Sequence, residues 1–197
     1  MTLLDKEPVQ RVGKIIKEFN QNLSVSVLET SARTALEAAS SLGCEVGAIV
    51  KSLLFKTDNK FSLFLVAGDK KASLKKIKKN IKFNDVSMAT AEDVKKITGF
   101  TIGGVSPVGH LENVDIYIDN SLHRFVFLFA AAGHPNCIFK INFSDLEKIT
   151  KGTIDSVISS IVPFVIFFKS EKLILNIQFG WPAAANKKTN LCKELSI

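Results

Sequence analysis

The chain has 197 residues, 46% hydrophobic and 23% charged. That is room for one full domain with an appendage, and it excludes a disordered chain. Eleven Gly and five Pro exclude a collagen-like or linker-like composition. Three scattered Cys (Cys44, Cys137, Cys192) argue against a disulfide scaffold or a zinc ribbon and fit a reducing cytoplasm.

Taken in chain order, the first segment carries acids at Asp5 and Glu7 and reads as no signal peptide. Pro8 suits the first turn of a helix whose apolar face is Val9, Val12, Ile15, Ile16 and Phe19. LSVSVLE (23–29) alternates like a strand. Thr34 and Glu37 form a capping box for a helix that Gly43 ends. AIVKSLLFKT (48–57) and KFSLFLVAG (60–68) predict a hairpin turning at Asp58-Asn59. Ser73 can cap a Lys-rich helix, and Thr90 with Asp93 opens another that Gly99 closes. TIGGVSPVGH (101–110) predicts a shaped loop. VDIYID (114–119) and RFVFLFAAA (124–132) read as strands, the second fully buried. Ser144 and Glu147 predict the cap of a last helix, with Gly152 at its end. Helices and strands do not alternate regularly, which predicts an α/β fold of the α+β type, a mixed sheet with flanking helices. The expected domain is 1–154. Residues 155–197 form an atypical tail, whose apolar run 157–168 is shorter than the roughly 20 residues of a membrane-spanning helix.

The positive charge is concentrated. Residues 69–82 carry seven Lys (Lys70, Lys71, Lys75, Lys76, Lys78, Lys79, Lys82) against Asp69. Such a block attracts polyanions, and it equally describes a solvated helix face.

Conventional catalytic machinery is sparse. His110, His123 and His134 share no ligand spacing, which argues against a metal site. Cys137 follows His134 by three residues; on an extended segment the two point to opposite faces, so a nucleophile–base pair is not expected. Ser106 lies in no nucleophile elbow. What remains is Lys51 in an apolar strand, the loop Gly103, Gly104, Val105, Ser106 and Pro107, Asp119 at a strand end, and the turn Gly133, His134 and Pro135. Singly, each reads as ordinary structure. Together they describe a rigid backbone pocket with one cation and one imidazole.

The ordered segments ARTALEAASSLGCEVGAIVKSLLFK, LFLVAGDKKASLKKI, TGFTIGGVSPVGH, IYIDNSL and AAAGHPNCIF closely resemble the YbaK/prolyl-tRNA synthetase-associated family, from about Val9 to about Thr150. The resemblance implies a mixed, strongly curved sheet and hydrolysis of mischarged aminoacyl-tRNA in trans. It implies that Lys51 helps hold the terminal adenosine and its phosphate. The loop from Gly103 to Pro107 would position the scissile carbonyl and set pocket size. His134, between Gly133 and Pro135, would lie near the terminal ribose, and Asp119 at the pocket edge. Some relatives that remove cysteine carry Ser-Gly-Gly where this chain has Ala132, Gly133 and His134, so it resembles the Gly-His-Pro branches more closely.

The expected substrate is then a tRNA, tRNA-Pro or another, carrying a small wrong amino acid. Lys70, Lys71, Lys75, Lys76, Lys78 and Lys79 would meet acceptor-stem phosphates. A prolyl-tRNA synthetase or another synthetase is a further expected partner. No cofactor, metal, DNA or membrane is expected, and the expected compartment is the cytoplasm. Two other readings stay open: a non-catalytic module that binds tRNA or a synthetase, and a binding protein for a small nucleotide-like ligand.

Overall fold

The computed structural model describes residues 2–30, 32–155 and 158–159. The chain divides into two units, Met1–Val162 and Pro163–Ile197. The second unit, with Trp181 of the expected tail, lies outside the described residues; of the apolar run 157–168, which begins in the first unit, only Ile158 and Ser159 are described.

Local chemistry sets most element ends. Helix α1 (Glu7–Phe19) has Pro8 in its first turn. After strand β1 (Val25–Val27), helix α2 (Ala35–Leu42) begins where the Thr34 side chain accepts the Glu37 N–H, and Gly43 ends it at φ 63°. Strands β2 (Ile49–Thr57) and β3 (Lys60–Ala67) form the hairpin, with Asp58 at φ 50° in its turn. A two-residue strand β4 (Lys71–Ala72) precedes helix α3 (Leu74–Ile81), capped by Ser73. Strand β5 (Val86–Met88), helix α4 (Ala91–Thr98) and strand β6 (Asp115–Asp119) follow. Then come β7 (Leu128–His134), β8 (Cys137–Ile141), α5 (Phe143–Thr150), β9 (Thr153–Asp155) and β10 (Ile158–Ser159).

Three expectations need correction. Residues 124–127 are not strand: Arg124 ends a short 3-10 helix (Asn120–Arg124), and Val126 is 79% exposed. The apolar run RFVFLFAAA hides this boundary, because periodicity cannot separate an apolar loop from a buried strand. Helix α5 is capped by Asn142, which accepts the Asp145 N–H, rather than by Ser144. Lys151 takes the left-handed position (φ 52°) expected of Gly152.

The strand order is β1-β8-β7-β2-β3-β6-β9, with β5 also pairing β2. Pairings β2/β7, β3/β6 and β6/β9 are parallel and the others antiparallel, so the sheet is mixed, as expected. Strands β2 and β7 run together only at Ile49–Phe129 and Val50–Ala130. Further along, β5 takes that edge of β2 at Phe55–Thr57. The sheet therefore parts at Lys51.

Side chains alternate between the two faces. Val50, Leu54, Leu63, Leu65, Leu128 and Ala130 enter the main core with Val12 and Ile16 of α1, Ile97 of α4 and Leu146 of α5. On the opposite face, Ile49 packs with Ala38 and Ala39 of α2. Phe55, Phe64 and Val66 pack with Ile77 of α3. Lys51 shares that face, between the α2 cluster and the α3 cluster. Among the described residues, no helix is long and apolar enough to cross a membrane.

Candidate functional site

The loop 101–110 begins with a tight turn. The Gly104 N–H donates to the Thr101 carbonyl at 2.9 Å. Gly103, third in that turn, has φ 89°, a conformation natural to glycine and strained for L side chains. Thr101, Ile102 and Gly103 are exposed, and Gly104 to Val108 are buried. Ser106 is fully buried; its hydroxyl accepts the Val108 N–H at 3.3 Å, and its carbonyl accepts His110 Nε2–H at 2.9 Å. Burial holds the His110 pKa below its ordinary value, against the Ser106 carbonyl, which pulls it up. From α1, Arg11 donates through Nε to the Gly109 carbonyl (2.8 Å) and stacks 5.0 Å from the Phe100 centroid.

The Gly-His-Pro turn lies at the end of β7. Gly133 has φ 87°, and a Cβ there would stand 2.6 Å from the Pro8 carbonyl oxygen, so the first turn of α1 rests on its backbone. His134 is half-buried, and its Nδ1 accepts the Asn136 N–H at 3.2 Å. The neutral ring therefore carries its proton on Nε2. Burial, then nearby Lys6, lowers its pKa.

Loop and turn meet through backbone. A Cβ on Gly104 would lie 2.9 Å from His134 Cα, and one on Gly103 would lie 3.5 Å from Pro135 Cγ and 3.7 Å from the Arg33 carbonyl oxygen. Two expected site segments are thus in direct contact.

Lys51 is held differently. Its Nζ donates to the Gly68 carbonyl at 3.1 Å and to the Lys70 carbonyl. Gly68 is wedged: a Cβ there would stand 2.1 Å from the Val46 carbonyl oxygen and 3.0 Å from Ala35 Cβ. Desolvation lowers the Lys51 pKa, the Asp69 charge opposes that, and Lys71 adds to it. The hydrogen bonds of Lys51 go to the turn after β3, not to the 103–107 loop. The start of α2 borders both places, through Ala35 beside Gly68 and Arg33 beside Gly103.

The other expected residues divide. Asp119 is fully buried, and its Oδ1 accepts the Ser121 N–H at 2.8 Å, capping the 3-10 helix. Lys70 is only 8% exposed, whereas Lys71, Lys75, Lys76, Lys78 and Lys79 are exposed. Cys137 pairs with His134 across the β7/β8 hairpin rather than lying along one extended segment. Its thiol is buried and its pKa pushed up, unlike that of an activated nucleophile. Sequence reasoning misses the supporting roles of His110 and Arg11. The spacing of His110 speaks only to metal binding, and Arg11 gives no local signal of the distant carbonyls it serves.

The structure thus joins the 103–107 loop and the 133–135 turn through close-packed main chain and holds the half-buried Lys51 ammonium on the turn after β3. Comparisons with known proteins identify the family. Residues 29–149 match the model of the aminoacyl-tRNA editing domain. The chain is 36% identical over 128 residues to a proline–tRNA ligase of Caldicellulosiruptor bescii, covering 64% of this chain and 22% of that enzyme. It thus spans less than a quarter of that ligase. It is 32% identical to YwhH, an uncharacterized protein of Bacillus subtilis, over 68% of this chain and 85% of that one. Among solved structures, a "putative trans-editing enzyme for prolyl tRNA synthetase" superposes with a TM-score of 0.74 at 35% identity, covering 79% of this chain and 99% of that one. The chain belongs to the aminoacyl-tRNA editing domain family.

Proposed function

We propose that this protein is a trans-editing deacylase that hydrolyses the ester of a tRNA charged with a small wrong amino acid. The observation that carries the reading is the contact of Gly104 with the His134 backbone, which fuses loop and turn into one rigid wall. An aminoacyl ester is already activated, so orienting a water or a ribose hydroxyl is enough to start its cleavage.

Within this reading the residues take the following roles. The Gly104 N–H is taken by Thr101 and Ser106 is fully buried, which leaves the N–H of the exposed Gly103, with that of Val105 behind it, as the oxyanion donors. Such a donor is worth about 3–4 kcal/mol in comparable sites. Lys51 supplies the cation for the terminal adenosine and its phosphate. His134, proton on Nε2, faces the terminal ribose as a hydrogen-bond donor. Asp119 acts from inside the fold, by capping the element that follows β6. A wall of main chain excludes large aminoacyl groups sterically; it discriminates weakly among small ones, since one methylene is worth only about 1–3 kcal/mol. The exposed lysines of α3 would dock the acceptor stem, and a synthetase would share the substrate in the cytoplasm.

The test is a deacylation panel of tRNAs mischarged with Ala, Ser, Cys and Thr, run with wild type and Lys51→Ala. The reading requires turnover of at least one small aminoacyl ester and its loss in the variant. Hydrolysis unchanged by Lys51→Ala would remove the site assignment. Tight tRNA binding without hydrolysis would favour a non-catalytic module.

A further inference from the structure

Two charged residues linked to the turn that holds Lys51, Asp69 and Arg124, have no role in the hydrolysis proposed above. Asp69 lies between Gly68 and Lys70, the two residues whose carbonyls hold the Lys51 ammonium. Its Oδ1 forms an ion pair with Arg124 Nη2. Arg124 is itself fixed: its Nε donates to the Ser121 carbonyl at 2.9 Å, and its guanidinium lies 4.6 Å from the Phe125 centroid. Ser121 is in turn held by the Asp119 cap. The pair also sits tight on the backbone before β2. A Cβ on Gly47 would stand 2.4 Å from Phe125 Cζ, 2.8 Å from Arg124 Nη2 and 3.0 Å from Asp69 Oδ1. The ion pair thus ties the turn after β3 to the 3-10 helix after β6, and β3 and β6 are parallel neighbours.

A surface ion pair by itself contributes little to stability. This one clamps the residue between two carbonyls that aim an ammonium, and it stations a carboxylate beside that ammonium. We propose that Arg124 and Asp69 are positioning residues for Lys51, locking the 68–70 turn and holding the lysine charged and oriented for the substrate. The proposal rests on the reading of Lys51 as the cation of the site. Among the described residues, the charges that act on Lys51 are Asp69, which favours its ammonium, and Lys71, which disfavours it; Arg124 acts through its ion pair with Asp69, and Lys70 is buried on the same turn.

The variants are Asp69→Asn, Arg124→Gln and Arg124→Lys in the full chain, each checked for folding by circular dichroism and thermal melting. The first readout needs no substrate: acetic anhydride labelling of Lys51 against pH, resolved by peptide mass spectrometry. Asp69→Asn should label several-fold faster near pH 8, because losing the carboxylate leaves more neutral amine. The second readout is the pH profile of kcat/KM on a mischarged tRNA. Its alkaline limb should move to lower pH in Asp69→Asn and Arg124→Gln, with partial rescue in Arg124→Lys. If Asp69→Asn does not fold, the arginine variants give the same two readouts. A Lys51 labelling profile unchanged in folded variants overturns the proposal, whatever the activity. A shifted profile in a protein that hydrolyses no ester leaves the pair standing and defeats the deacylase reading instead.

Discussion

Gly104 packs so closely on His134 that a Cβ would fall 2.9 Å from His134 Cα and 3.0 Å from its carbonyl carbon. Backbone cannot yield as the end of a flexible side chain can. The Gly104→Ala variant must therefore push the loop off the turn. We expect a loss of about 1–3 kcal/mol in stability, typical of overpacking, and a drop of tenfold or more in deacylation rate. Gly43→Ala is the control. It has nothing within 4 Å but sits at φ 63°, so it should cost about 1 kcal/mol through backbone strain alone and leave turnover intact. Urea melts and initial rates on both variants check this. Equal activity loss in the two would mean that global destabilisation, rather than the wall, explains the effect.

His110 gives the fold a pH dependence. Burial holds its folded pKa below the ordinary 6.5. Above that value both folded and unfolded chains are neutral at this position, and its contribution to stability is complete. As pH falls below 6.5 the unfolded chain takes up a proton that the folded chain refuses, and stability drops until the pH passes the folded pKa. His134 titrates in the same direction, so the His110 share is read as a difference. His110→Gln keeps a donor for the Ser106 carbonyl and removes the titration. Between about pH 7.5 and 5 the wild type should lose more stability than His110→Gln, measured by urea midpoints. Parallel curves would show that His110 contributes no linkage.

Elements with short-range chemical signals were legible in the sequence. Thr34 with Glu37, Thr90 with Asp93, Ser73, Gly43 and Gly99 all stand where their cap chemistry predicts. The Asp58-Asn59 turn likewise appears between β2 and β3. Strands β4, β9 and β10, of two or three residues each, are too short for any period to register, and pairing partners far along the chain decide them. The site shows the same division. The 103–107 loop and the Gly-His-Pro turn were legible as glycine-shaped segments, but Gly104 and His134 meet from distant parts of the chain, and spacing cannot reveal such a meeting. Lys51 was legible as a lysine in an apolar strand, while its acceptors are backbone carbonyls, which carry no sequence signature at all.

Arg11 links α1 to the far end of the loop. It donates to the Gly109 carbonyl at 2.8 Å and to the Thr98 carbonyl at 3.4 Å, while its ion pair with Glu7 is on the surface, Glu7 being 70% exposed. The two kinds of contact differ in weight. Arg11→Leu keeps packing against Phe100 but strands part-buried carbonyls, and should cost about 1–3 kcal/mol. Glu7→Gln removes only an exposed helix-face pair and should change stability by about 0.5 kcal/mol or less. Thermal melts of the two variants decide it, and comparable losses would mean that the loop anchor is weaker than its geometry suggests.

The α3 lysines separate docking from chemistry. Ile77 anchors the helix with 0% exposure, and Lys78 is engaged with Asp85 at 3.7 Å. Lys75, Lys76 and Lys79 project from the same short helix and are exposed. They belong to a different element from the 103–107 loop and the turn at His134, so reversing them to Glu should leave kcat unchanged. It should raise KM for mischarged tRNA and flatten its dependence on salt, because every phosphate left without its lysine lowers the log–log slope by roughly 0.7–0.9. A minimal aminoacyl-adenosine, which has no acceptor stem, should be hydrolysed equally by both forms. The decisive measurement is KM against ionic strength from about 50 to 200 mM salt, the range over which such contacts change affinity most visibly. A slope identical to wild type would mean that the stem meets another surface and that the lysines serve only to keep α3 solvated.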